Sequence, residues 1–289
     1  MQNIIIVLTF FGLWLSTQLS FVVQDYIAYA CILTFGVLHG ANDVTLIASL
    51  TKRKESKKKL LLTYLGAIML VTLLFVISRK VALAFFILIS AYHFGEQHFG
   101  HQLKKDSRIS LPLFLFYGAT ILFMIFAIKI NEVIHIIEDV SGWMLDKNLI
   151  MGSLIVVAIG TLVCCFKLIK DGILEINPIK ELFYLAVLGI TFANASLVWG
   201  FAIYFIFWHS LPSMKDQLNF LYGRATKTNF VSYLKTSSLY WLISILGLGF
   251  LYWLLRDSVD YFITVILYVL AAITFPHVLV MSKVEAIKK

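Results

Sequence analysis

The chain has 289 residues, 60% of them hydrophobic and 14% charged, with a formal net charge of +8. Soluble domains carry about 25% charged and roughly 45–50% apolar residues. The composition therefore excludes an ordinary soluble domain, a disordered chain and a disulfide-stapled secreted module, and predicts an all-α, polytopic integral membrane bundle. Apolar runs of roughly 17–25 residues bounded by charges predict about ten transmembrane helices in a single membrane-embedded domain over 1–289. The first run, 3–23, has no basic residue ahead of it and no small-residue cleavage site, so it is expected to stay as a span. The second, 26–50, carries Gly36-Val37-Leu38-His39-Gly40-Ala41-Asn42-Asp43. A lysine-rich loop over 52–59 leads to spans 60–78 and 81–99, the latter ending in Tyr92-His93-Phe94-Gly95-Glu96-Gln97-His98. Span 109–130 precedes an acidic external segment, 131–147, expected to hold a short interfacial helix, and then span 148–169. The run from Leu182 to His209 is too long for one comfortable crossing. A turn near Ala193–Ser196 divides it into 181–194 and 196–213, the second ending in Phe207-Trp208-His209-Ser210. A mixed basic stretch, 216–235, is expected at the cytoplasmic surface. The last two spans are 236–255 and 259–281, and the final one contains Phe275-Pro276-His277. Without the turn near Ser196 the chain would make nine crossings.

The loops test this division. Of the 24 Lys and Arg, 19 fall on the side of the N-terminus and five on the other, Arg79, Lys80, Lys129, Lys147 and Arg256. The positive-inside rule makes the basic side cytoplasmic, with both termini inside. The excess charge thus marks orientation in a membrane, and no nucleic-acid partner is expected. The three cysteines, Cys31, Cys164 and Cys165, form no CxxC pair and are expected to be small buried apolar residues.

Ionisable groups inside a span are costly and mark candidate functional positions. Six of the seven histidines fall in or beside four motifs on even-numbered spans; His135 lies in the external segment. His39, His93, His209 and His277 stand 13, 11, 6 and 6 residues before the next cytoplasmic basic residue. At ~1.5 Å per residue that is roughly 9–20 Å, the cytoplasmic half of the bilayer. One intramembrane histidine alone is ordinarily an interhelical hydrogen-bonding group. Four at matched depth point to a shared metal, because neutral imidazole ligates Fe, Zn or Cu without burying a charge. Asp43, four residues after His39, and Glu96, three after His93, are placed to orient ligands from outside the metal. Phe35, Tyr92, Phe94, Tyr204, Phe207, Trp208 and Phe275 flank the histidines and are candidates to line a tunnel for a long apolar substrate. Desaturase histidine boxes and an HExxH metalloprotease motif are absent from the sequence.

The ordered series HGAND, AYHFGEQH, FWHS and FPH on successive even spans resembles the bacterial Brp/Blh family of β-carotene 15,15′-dioxygenases. The resemblance covers essentially the whole chain. It implies an Fe(II)-dependent oxygenase of the bacterial inner membrane that splits the central double bond of β-carotene with O₂ into two molecules of all-trans-retinal. A retinal-binding rhodopsin would be a product acceptor, and membrane lipids surround the enzyme. On this resemblance His39, His93 and His209 are iron ligands and Asp43 is the acidic partner. Many members have a further histidine four residues after that of WHS, where this chain has Ser213. His277 is therefore the expected fourth ligand, with His98 in reserve. Two other classes fit the same histidines: a membrane transporter or assembly factor for a metal, proton or lipid, and a non-catalytic carotenoid- or retinoid-binding relative that supports a rhodopsin.

Overall fold

The computed structural model describes residues 2–50, 57–105, 107–255 and 262–288. The basic residues 52–54, Arg256 and Lys289, used above to set orientation, lie outside the described residues. The described chain is helical, with no β-strand beyond one antiparallel bridge between Leu103 and Leu174. In order the helices are α1 (Gln2–Gln18), α2 (Phe21–Leu50), α3 (Lys57–Ile77), α4 (Arg79–Phe99), α5 (Ser110–Ile128) and α6 (Ile130–Ser141). They continue as α7 (Lys147–Lys170), α8 (Pro178–Asn194), α9 (Leu197–Tyr222), α10 (Lys227–Leu255) and α11 (Phe262–Lys288). Two are interrupted by π-helical segments, α2 at Ile32–Gly36 and α9 at Tyr204–Ser210. Five stretches are long and apolar enough to cross a membrane: α2, α5, α7, α9 and Thr264–Val284 within α11. Gln2–Gln18 and Leu61–Ile77 are shorter apolar helices. The ten crossings expected from hydropathy thus exceed the five that length and apolarity mark among the described residues.

Helix ends follow local chemistry. The turn expected near Ala193–Ser196 is present, and the Ser196 hydroxyl accepts from the Trp199 amide to cap α9. The first break comes at Leu19–Ser20, five residues earlier than hydropathy predicts, because Gln24 reaches back. Its amide donates to the Ser16 and Leu19 carbonyls at 2.9 Å, satisfying acceptors at the end of α1. The side-chain Oε1 of Gln24 accepts from the Ser196 backbone N–H at 2.8 Å, joining the α1–α2 and α8–α9 turns. Asp146 and Asn177 cap α7 and α8. The stretch 216–235 is largely helical: α9 runs on to Tyr222, Gly223 turns the chain at φ +78°, and α10 starts at Lys227. The short helix α6 buries Val133, Ile137 and Val140 and exposes Glu132, His135 and Asp139, an amphipathic pattern.

Contacts divide the chain into two compact units. One holds Met1–Ile32, Ile87–His135 and Met144–Pro212; the other holds Leu33–Phe86, Ile136–Trp143 and Ser213–Lys289. In the first unit α4 and α5 meet backbone to backbone. A Cβ at Gly95 would strike the Phe114 carbonyl, and one at Gly118 would strike the Ala91 carbonyl. Small residues allow such contact between helices in lipid. Gly160 of α7 likewise receives the Phe116 ring of α5. In the second unit Val71, Phe75 and Ala82 pack with Ala271 and Ala272, and Leu46 packs with Val280, Met281 and Val284. Each unit leaves apolar side chains exposed, such as Leu162 and Phe166 on α7 and Met69 and Leu73 on α3. Such surfaces are compatible with a membrane protein.

Candidate functional site

The second unit brings His39 of α2 against His277 of α11. Their ring centroids are 4.7 Å apart and perpendicular, and both residues are buried. Asp43 opens the last segment of α2, and its carboxylate lies 2.9 and 3.1 Å from His277 Nδ1. The Tyr64 hydroxyl of α3 donates to Asp43 Oδ2 at 2.9 Å. A carboxylate that receives Nδ1–H fixes the imidazole tautomer and leaves the Nε2 lone pair as the ligating or accepting atom. Asp43 was expected to act on an imidazole from its place on the His39 face; the imidazole it holds is that of His277.

The backbone of His39 is also held. Its carbonyl ends the short helical piece Val37–Gly40, where the last C=O groups lack donors from their own turn. Gln217 Nε2 donates to that carbonyl at 2.9 Å, and the Tyr233 hydroxyl lies 2.8 Å from Gln217 Oε1 and 3.3 Å from the same carbonyl. Asn42 Nδ2 donates to the Tyr233 carbonyl at 3.2 Å and Asn42 Oδ1 accepts from Thr236 at 2.9 Å. Asn42, Gln217 and Tyr233 are fully buried. The HGAND motif therefore does three things: a histidine faces inward, an asparagine ties α2 to α10, and an aspartate orients a histidine 234 residues away.

The first unit pairs His93 of α4 with His209 in the π segment of α9. Their centroids are 4.8 Å apart at 77°, and both residues are 2% exposed. Phe94 sits 4.8 Å from the His209 ring, Phe205 stacks on it at 5.6 Å, and Phe94 in turn meets Tyr204 at 5.2 Å. Glu96 Oε1 accepts from the Tyr92 hydroxyl one turn back, at 2.8 Å. His98 belongs to a separate polar group: its Nε2 is 2.7 Å from Glu181 Oε2 and 3.1 Å from the Tyr117 hydroxyl, and its ring stacks on Tyr117.

The second unit also contains an apolar cavity of about 950 Å³ bordered by α2, α3, α10 and α11. Asp43, Gly40 and Tyr64 border it, as do Ile68, Phe75, Leu248, Tyr268 and Ile273, with Arg79 and Thr264. Ligand cavities typically measure about 300–1,000 Å³ and are mostly apolar with few polar groups.

A family profile described as beta-carotene 15,15′-dioxygenase matches residues 30–285. The chain belongs to this family. No curated protein and no solved structure matches it. Membership in the beta-carotene 15,15′-dioxygenase family implies a carotene dioxygenase activity and β-carotene as substrate. The match spans all four histidine motifs.

The expected site residues of this family member are distributed as follows. His39 meets His277, and His93 meets His209. Of the aromatic residues expected to line a tunnel, Phe94 and Tyr204 lie at the His93–His209 pair. Trp208 is anchored by Nε1–H to Thr9 Oγ1 at 2.9 Å and packs on Tyr184. Phe207 lies beside Gly12, Phe275 meets Phe85, and Phe35 is exposed. None of the seven borders the cavity, whose aromatic lining comes from Tyr64, Phe75, Tyr240, Phe250 and Tyr268. Sequence reasoning did not single out Tyr64, Gln217 or Tyr233. The signal for the last two was polar side chains within 216–235, a stretch read as surface.

Proposed function

We propose that this protein is an iron(II)-dependent dioxygenase of a bacterial inner membrane that cleaves the central double bond of β-carotene with O₂ to give two molecules of all-trans-retinal. The family match over residues 30–285 carries this reading. On it, the chain works as one membrane-embedded domain with ten crossings and both termini cytoplasmic. Retinal passes to lipid and to a retinal-binding rhodopsin.

His39, His93, His209 and His277 would hold the iron, and their matched depth along the sequence is what assigns them to one ion. The donor chemistry fits: four buried imidazoles, one oriented by a carboxylate on its Nδ1, suit a divalent ion that keeps positions open. His98 is the weaker candidate because its Nε2 already meets Glu181 and Tyr117. The bound iron would supply activation of O₂ toward the polyene. The chain's own residues have three tasks. Asp43, supported by Tyr64, holds His277 in one tautomer. Gln217 and Tyr233 fix the His39 backbone, and hence the direction of its ring. The apolar cavity that reaches Asp43 receives a substrate with no polar handle, by shape and exclusion of water. Glu96 and Tyr92 form the corresponding outer pair beside His93.

Expression in bacteria that accumulate β-carotene tests the reading. Loss of orange colour with formation of retinal is expected, and His39→Ala or His93→Ala should abolish both the bleaching and the bound iron. Folded, membrane-inserted protein that leaves the pigment intact would refute it.

A further inference from the structure

The cavity of the second unit has two chemically different ends. Its inner end is Asp43 and Tyr64, beside His277. Its outer end follows from the packing of α3 on α11. The Phe75 ring lies 4.3 Å from that of Tyr268. Arg79 opens α4 just past the end of α3, and Thr264 lies one turn before Tyr268; both border the cavity. From His277 back to Thr264 is 13 residues, or ~20 Å of helix, on the order of half an extended carotenoid.

Thr264 is 4% exposed, and its hydroxyl has no hydrogen-bond partner among the described residues. Other buried or membrane-level threonines do not leave theirs so. Thr72, Thr120, Thr161 and Thr191 each donate to the carbonyl four residues back. Thr264 stands near the start of the described part of α11 and makes no such contact. A buried hydroxyl in an apolar wall is unfavourable unless something enters the cavity to pair with it. A pure hydrocarbon ring offers nothing. A ring bearing oxygen offers an acceptor, and Arg79, which borders the same cavity, adds a cationic donor.

We propose that this cavity takes carotenoids whose outer ring carries an oxygen, as a hydroxyl or a ketone, held by the Thr264 hydroxyl and the Arg79 guanidinium. The proposal rests on the oxygenase reading for the fate of the pigment, whereas the binding preference is measured apart from it.

The test uses the full chain in lipid nanodiscs, with β-carotene and with zeaxanthin, the same skeleton hydroxylated on both rings. Binding is read from the absorption shift of bound pigment, and products by chromatography. Zeaxanthin should bind about tenfold more tightly, the factor carried by one net hydrogen bond. Thr264→Val should bring the ratio of the two affinities to about one, while Thr264→Ser, which keeps the hydroxyl, should preserve it. Arg79→Met should lower the ratio. Equal affinities in the wild type, no binding of either pigment, or an undiminished ratio in folded Thr264→Val would overturn the proposal. If the preference appears and neither pigment is cleaved, this proposal stands and the oxygenase reading fails. If both are cleaved without preference, the reverse holds.

Discussion

Replacing Asp43 by asparagine isolates the contact that ties α2, α3 and α11 together. As a carboxylate, Asp43 accepts from His277 Nδ1–H at 2.9 and 3.1 Å and from the Tyr64 hydroxyl at 2.9 Å, and the residue is 1% exposed. An asparagine has one acceptor oxygen and one NH₂ group. If the oxygen serves His277, the NH₂ faces the Tyr64 hydroxyl; turned over, it faces the Nδ1 proton. One donor is then left unpaired in a buried site, a cost of about 1–3 kcal/mol. Losing the outer partner of a ligating histidine typically lowers metal affinity about 10–100-fold, or about 1.4–2.7 kcal/mol. Asp43→Asn should therefore weaken Fe(II) binding by that factor, measured by chelator competition on purified protein, and lower the melting temperature. Tyr64→Phe leaves the Asp43–His277 contact in place and should cost about 1 kcal/mol, with a smaller loss of iron. Wild-type iron affinity and melting temperature in Asp43→Asn would show that the contact does neither job.

Four further outcomes follow. Gln217→Leu leaves the His39 carbonyl without its amide donor and should destabilise the protein by about 1–3 kcal/mol; Tyr233→Phe should be non-additive with it, because both groups share one network, as a double-mutant cycle of melting curves will report. Gly118→Ala must push α4 from α5, since its Cβ meets the Ala91 carbonyl, and should sharply reduce folded protein in the membrane, whereas Gly66→Ala, with nothing within 4 Å, should be neutral or slightly stabilising in the same yield assay. Trp208→Phe removes the bond to Thr9 and should lower stability by about 1 kcal/mol in thermal denaturation, without the loss of bound iron that His209→Ala would cause. Dialysis against an Fe(II) chelator should stop retinal formation, and added Fe(II), but not Mg(II), should restore it.

Much of this architecture is readable in the sequence because long apolar runs leave the backbone little choice. A backbone out of contact with water must close its own hydrogen bonds, so apolar runs become helices, and the turn before Ser196 lies where the run is too long for one helix. What failed to show is whatever depends on residues far apart. The spacing of His39 and Asp43 places them on one helical face but says nothing of which histidine meets the carboxylate. Only the packing of α11 supplies His277. Hydropathy reads Phe21–Val23 as continuing the first helix, since it cannot register that Gln24 folds back on Ser16 and Leu19. It likewise reads 216–235 as surface, where Gln217 and Tyr233 are buried because they pair with a backbone carbonyl and with each other. The aromatic residues nearest the histidines were natural tunnel candidates, yet Trp208 is held by a hydrogen bond of its own. The cavity is instead walled mainly by aliphatic side chains that carry no compositional mark.

The π segments explain how two of the histidines come to face inward. A π turn takes in one residue more than an α turn, so side chains beyond it are rotated by ~100° from their α-helical direction. In α2 the segment Ile32–Gly36 precedes His39 by one turn, which sets the face that carries His39, Asn42 and Asp43. In α9 the segment contains His209 and ends just ahead of Pro212. Proline has no N–H to return to the Trp208 carbonyl, so the backbone there favours a wider register. In α11 the same device takes another form: Pro276 stands directly before His277 and withholds a donor from the Ala272 carbonyl. Each irregularity interrupts regular helix pairing close to a buried imidazole, and in α2 a further turn at Ala41–Asn42 follows His39 and Gly40. Such departures are costly in lipid and persist where surrounding groups compensate. Here the compensation is visible as buried amides and hydroxyls, Gln217 and Tyr233 on the His39 carbonyl and Asn42 on α10. Around His39 the buried polar residues thus divide into two sets, imidazoles and the groups that hold the backbone behind them. A variant of the second set should change how firmly the first is held before it changes the chemistry.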